Sequence, residues 1–371
     1  VGNVSQRPAA GFIGRVEVLL ETAGTGLACT GLFALAAAIP GGLTPLLGLP
    51  AGLGPVDTPA YALTVLLAAW TVPLLIRRLL GGWRRRHLVG RLGARPGRGI
   101  FHGLVAAAAL NLWSRLLLLW DPRLFDATWQ TLGIESLGDA LRAALFVAPL
   151  ATALPEELVF RGYLQGALST RFGAGWALVL TALVFALFHA YQGPVAVVLT
   201  VVPAALVLGV LYRSTGSLVA PLVAHAGLNA ASFIQLGVET SRPELALPVV
   251  GGLALVSAGL LLAGRRQVRA GLGLTWDLLR QAARPRRIVV SLLAVGCAAL
   301  VLGLAGGLLA TAVREPSHAA PATLPTALLL WTAAATLHRL RGLDLFRDAA
   351  RADAADPGAP AGVDATGARE W

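Results

Sequence analysis

The chain has 371 residues, of which 56 % are hydrophobic and only 13 % charged, and its mean hydropathy is +0.71. A soluble globular chain carries about 25 % charge, so this one is short of water-compatible surface, and disorder, collagen and a secreted disulfide scaffold are excluded. The net charge is +11 and every basic residue is Arg, with no Lys and no Met; that usage, with abundant Ala, Gly and Leu, reads as a GC-rich bacterial genome, and Val1 as a GTG or truncated start.

A helix that crosses the hydrocarbon needs about 20 apolar residues. Ten candidates follow in order: 22–40, 61–80, 99–120, 139–163, 175–192, 195–212, 217–236, 247–264, 288–312 and 324–340. The first reads as a retained span, because no small-residue cleavage site follows it. Residues 77–98 hold Arg77, Arg78, Arg84, Arg85, Arg86, Arg91, Arg95 and Arg98 with no acid, and residues 265–287 hold seven Arg against Asp277. Both stretches are expected as cytoplasmic loops. Six spans lie between them, an even number, and both termini fall inside. Charge asymmetry of this kind suffices to set orientation in a bilayer, and it is preferred to lipid-headgroup or nucleic-acid recognition as the reason for both stretches. Cys29 and Cys297 sit in separate apolar stretches and offer neither a disulfide framework nor a Cys-based zinc site.

The expected fold class is therefore all-α, a polytopic integral membrane helix bundle of about ten transmembrane helices. Its organisation divides into N-terminal helices at 1–138, a core at 139–236, C-terminal helices at 237–342 and a disordered cytoplasmic tail at 343–371.

Charged groups at mid-bilayer cost about 3 kcal/mol on insertion scales. Most spans contain none; apart from Arg115 and residues towards span ends, the exceptions gather in residues 156–229. The first cluster is Pro155-Glu156-Glu157-Leu158-Val159-Phe160-Arg161. Residues four apart share a helix face, so Glu157 pairs with Arg161. Glu156 is turned about 100° away and has no partner on its own helix. Pro155 removes a backbone hydrogen bond and predicts a kink just before the pair. In the second cluster, Phe185 and His189 lie on one face. The turn between the two helices falls near Phe172-Gly173-Ala174-Gly175, and Glu157 and His189 each lie 16 residues from Gly173. An antiparallel helix pair brings these positions to one height, where a carboxylate beside an imidazole can hold and deprotonate a water. In the third cluster, His225 and Asn229 are one turn apart and can both donate to an oxygen that gains charge. Ala226, Gly227, Ala230 and Ala231 permit close approach of a neighbouring helix or a bound chain. Taken singly, each cluster also reads as structure: a buried ion pair, an interfacial His, or hydrogen-bond glue between helices. Helix length leaves the depth of the site open, because the helix that begins near Asp139 is too long for one upright crossing.

The succession EELVFRGYLQ, FALFHA and LYRSTGSLVAPLVAHAGLNA resembles the CPBP group, the CAAX proteases and bacteriocin-processing enzymes of the Abi type. The family pattern is EExxxR, then FxxxH, then HxxxN or HxxxD, on successive membrane helices, and the chain matches all three over about 139–236. The resemblance implies intramembrane peptide-bond hydrolysis in a bacterial cytoplasmic membrane. Glu156 and His189 would then activate water, His225 and Asn229 would stabilise the oxyanion, and Glu157 with Arg161 would fix the site. The family is commonly called metalloprotease, and His189, His225 and Glu156 could form a His₂-carboxylate zinc site with an open position. A glutamate-dependent mechanism without a cofactor uses each residue once and is preferred; zinc stays possible. The substrate would be a membrane-associated protein or peptide that reaches the site from the lipid bilayer. A bacterium is not expected to make prenylated CAAX proteins, so the family name need not describe that substrate. The alternative is a non-catalytic transporter or scaffold, since buried Glu, Arg and His also mark proton and ion pathways.

Overall fold

A computed structural model describes residues 96–124, 134–189 and 192–283, with the isolated positions 17, 20, 24 and 332. The expected spans 22–40, 61–80, 288–312 and 324–340, the tail 343–371 and all but the end of the arginine stretch 77–98 lie outside the described residues. Within them the chain is all helical and has no strand. We number the helices α1 Pro96–Trp120, α2 137–172, α3 Ala174–Phe188, α4 Pro194–Thr215, α5 Val219–Ser241, α6 Ala246–Ala263 and α7 Arg265–Ala282. Five of them are long and apolar enough to cross a membrane, and α3 is a shorter apolar helix.

Six helices alternate in direction from α1 to α6. Backbones at Gly99 and Gly103 lie against Val219 and Val223, and Gly227 against Ala107, so α1 and α5 run the same way in close contact. A Cβ at Gly103 would stand 2.6 Å from the Ala220 carbonyl oxygen, which is why the smallest residue sits there. Helix α2 runs against α5: Ala140 meets Gly237, Thr152 meets Asn229 and Glu157 meets His225. It runs alongside α4, where Arg161 reaches Ala205 and Gln165 reaches Gly209. Gly264, just past α6, lies against Val105 near the start of α1.

Helix α2 begins on Ser136, whose hydroxyl caps the Asp139 N–H. It contains two π-helical stretches, Ala143–Ala153 and Leu158–Gln165, separated by one α-turn at Leu154–Glu157. Pro149 and Pro155 cannot donate hydrogen bonds, and the Leu154 N–H reaches back five residues to Pro149. The expected kink at Pro155 is thus a change of helical winding on either side of the two glutamates. Such π-turns often mark functional positions. Gly173, at φ +80°, turns the chain into α3. Phe160, Tyr163, Leu164, Phe185 and Ala205 belong to the core between α2, α3 and α4.

Two expectations need correction. Residues 265–287 were expected as a loop, but 265–282 form a helix, because Leu274 and Leu278 supply a buried stripe at helical spacing beneath the arginines. The apolar run 175–192 does not stay helical to its end: α3 stops at Phe188 and His189 caps it.

Candidate active site

Helix α3 has 15 residues and is about 22 Å long, short of the ~30 Å hydrocarbon layer. Its C-terminal end, with His189, is therefore held inside the bundle. His225 is six residues into α5, about 9 Å from its start, while the α2–α3 hairpin continues 16 residues beyond Glu156 towards that same end, so the site lies within the bundle.

All three sequence clusters meet there. Arg161 and Glu157 are fully buried, and Arg161 Nη1 donates to Glu157 Oε1 at 2.8 Å, the intrahelical pair that the spacing predicted. A buried pair needs further partners to offset desolvation. Arg161 Nη2 supplies one by donating to the Ala205 carbonyl at 3.2 Å. The second was not legible in the sequence: the same Glu157 Oε1 lies 2.9 Å from His225 Nδ1. A carboxylate accepts, so Nδ1 carries the proton and His225 Nε2 is turned towards Glu156, 3.8 Å from its Oε2. His189 is oriented in the same manner. Its Nδ1 lies 2.9 Å from the Phe185 carbonyl, which can only accept, and its Nε2 stands 4.0 Å from Glu156 Oε2.

Glu156 is therefore the meeting point of the two imidazoles. Its Oε2 is buried and has no hydrogen-bond partner among the described residues. Hairpin arithmetic gave the right height and the neighbouring glutamate: Glu156, not Glu157, faces His189. Separations of 3.8 and 4.0 Å exceed a direct hydrogen bond and suit one water touching both groups.

Phe185 holds the aromatic side of the site. Its ring stacks on His189 at 4.5 Å and 26°, meets His225 edge-on at 5.9 Å, and lies 4.6 Å from the Arg161 guanidinium carbon. Asn229 Nδ2 donates to Thr152 Oγ1 at 3.0 Å, and Thr152 donates to the Ala148 carbonyl at 2.8 Å. This relay fixes the Asn229 amide and leaves its second N–H to serve another acceptor. Thr152 was missed in the sequence because nothing there distinguishes it from other span threonines.

A tetrahedral zinc ion with bonds of 2.0–2.1 Å sets its ligand atoms about 3.3 Å apart, closer than Glu156 stands to either imidazole. Among the described residues no group of three His, Cys, Asp or Glu side chains is arranged to hold a metal ion.

Residues 139–231 match the family model described as Rce1-like, type II CAAX prenyl endopeptidase Rce1-like. The match covers α2 to the middle of α5, the segment that supplies every residue above, and agrees with the CPBP and CAAX protease resemblance. No curated protein and no solved structure shows significant similarity to the chain.

Proposed function

We propose that the chain is an intramembrane endopeptidase that hydrolyses a peptide bond of a membrane-associated protein or peptide. The observation that carries this reading is Glu156 Oε2, buried without a hydrogen-bond partner and facing the Nε2 atoms of His189 and His225.

The proton inventory gives each group one role. A neutral His189, with its proton on Nδ1, has a lone pair on Nε2. A water between Glu156 and His189 then donates one hydrogen to each. As the water oxygen attacks the scissile carbonyl carbon, its proton passes to Glu156. The carbonyl oxygen becomes an oxyanion, which accepts from the Asn229 amide and from His225 Nε2. His225 can donate from Nε2 only as an imidazolium, and Glu157 on Nδ1 stabilises that charge. Collapse of the tetrahedral intermediate breaks the C–N bond, and Glu156 returns the proton to the leaving amine. Glu157 and Arg161 act as positioning residues throughout. The segment 139–236 is the part of the chain that this chemistry needs, and the charge of the arginine-rich stretches supports a cytoplasmic side for both termini.

The test is Glu156→Gln beside Arg91→Gln in liposomes, read with a quenched library of membrane-associated peptides. Cleavage should be lost in the first variant, by about 10²-fold or more, and kept in the second. Proton-driven transport by a wild type that cleaves nothing would replace this reading with the transporter.

A further inference from the structure

We infer that the outer face of α7 is a binding surface for anionic phospholipid headgroups. Helix α7 follows α6 directly after Gly264. Its inner stripe, Leu274 and Leu278, packs with Leu178 of α3 and Val210 of α4, and Gly175 lets the α7 backbone come close at Leu278 and Ala282. One helix face is thus fixed to the bundle. The opposite strip presents Arg265, Arg269, Leu272, Trp276 and Arg280, all exposed.

That strip is not merely polar. Leu272 is 66 % and Trp276 58 % exposed, and the Arg280 guanidinium carbon lies 4.8 Å from the Trp276 ring centre. Arginines that flank a Trp and a Leu on one face suit the headgroup layer, where guanidinium groups meet phosphate and the apolar side chains enter the acyl boundary. Helix α7 carries four arginines and one acid, Asp277. Arg98 at the start of α1 and Arg213 in the last turn of α4 are exposed at the same end of the bundle. At the opposite end, among the described residues, acids match the arginines: Arg142 pairs with Asp139 and Arg242 with Glu244, and Asp121, Glu135 and Glu239 accompany Arg115 and Arg123. The excess of positive charge thus selects an anionic surface over a zwitterionic one.

The surface does not depend on the protease reading. The experiment uses the full chain in nanodiscs of pure phosphatidylcholine or of phosphatidylcholine with 30 % phosphatidylglycerol, read by hydrogen exchange of residues 265–282. Exchange should be slowed at least tenfold by phosphatidylglycerol and return on adding 0.5 M salt. The variant R265Q/R266Q/R269Q/R280Q should lose the difference, and the corresponding Arg→Lys variant should keep most of it. Equal exchange of the wild type in both compositions would overturn the inference. So would tighter retention of an RNA oligomer than of phosphatidylglycerol vesicles. The wild-type salt series and the Lys variant decide the matter even where the Gln variant fails to fold.

Discussion

Glu157 Oε1 lies 2.9 Å from His225 Nδ1, and this contact sets which nitrogen of the ring meets Glu156. One carboxylate oxygen serves Arg161 along the helix and His225 across the bundle. Its role in the ion pair and its role in the proposed chemistry are therefore inseparable.

A first prediction separates the two ring nitrogens. In His225→Asn the side-chain amide can replace the Nδ1–H that Glu157 accepts, but nothing replaces Nε2. The variant should melt within a few degrees of wild type, while kcat falls by about 10²–10³ if Nε2 supplies an oxyanion donor. Circular dichroism melts in detergent and peptide cleavage read both quantities. Full activity in a folded His225→Asn protein would remove His225 from the oxyanion site.

The buried pair yields a second prediction, on stability. Glu157→Gln takes from the fully buried Arg161 the carboxylate it hydrogen-bonds, and breaking such a pair costs about 3–5 kcal/mol. The double variant Glu157→Gln/Arg161→Met removes both charges and should recover most of that loss. It should not recover activity, because His225 still lacks its carboxylate. Denaturation in detergent against cleavage rates tests this, and an active double variant would make the Glu157 contact dispensable.

Much of this site was legible from spacing alone. The step of four from Glu157 to Arg161 and the step of four from Phe185 to His189 follow from helical repeat, and hairpin symmetry about Gly173 gave the height of His189 to within one residue, pointing to Glu157 where Glu156 faces the ring. The third dimension was not legible. Contact between Glu157 and His225 depends on how α5 packs against α2, which is set by Gly237 against Ala140 and Gly162 against Leu218, and no local pattern encodes that register. The arginine stretch 265–287 misled for a related reason. Its charge hid the stripe of Leu274 and Leu278, which becomes a helix face only because α3 offers Gly175 beneath it.

Thr152 supplies a third prediction. It accepts from Asn229 and donates to Ala148, so Thr152→Val should free the Asn229 amide while filling the same volume. A misaimed oxyanion donor should lower kcat by about tenfold, less than the 10²–10³ for removing one, with KM unchanged. Thr152→Ser keeps the hydroxyl and should restore the rate. That rescue distinguishes a positioning role from packing, since Ser is the smaller of the two substitutes. Equal rates for the Val and Ser variants would leave the relay without a role.

The last prediction concerns metal. Glu156 Oε2 stands 3.8 and 4.0 Å from the two imidazole Nε2 atoms, wider than the roughly 3.3 Å between ligands of a tetrahedral zinc. If all three bound zinc, a further base would be needed for the water, and Glu157 is already held by Arg161 and His225. With Glu156 as the base, each residue acts once. Protein treated with a strong chelator and then desalted should keep its cleavage rate, with far less than one equivalent of zinc by elemental analysis. Zinc that rises to one per chain on reconstitution, with activity tracking it and with His189→Ala losing both, would establish the metal. Glu156 would then be a ligand, and the proton would need another acceptor.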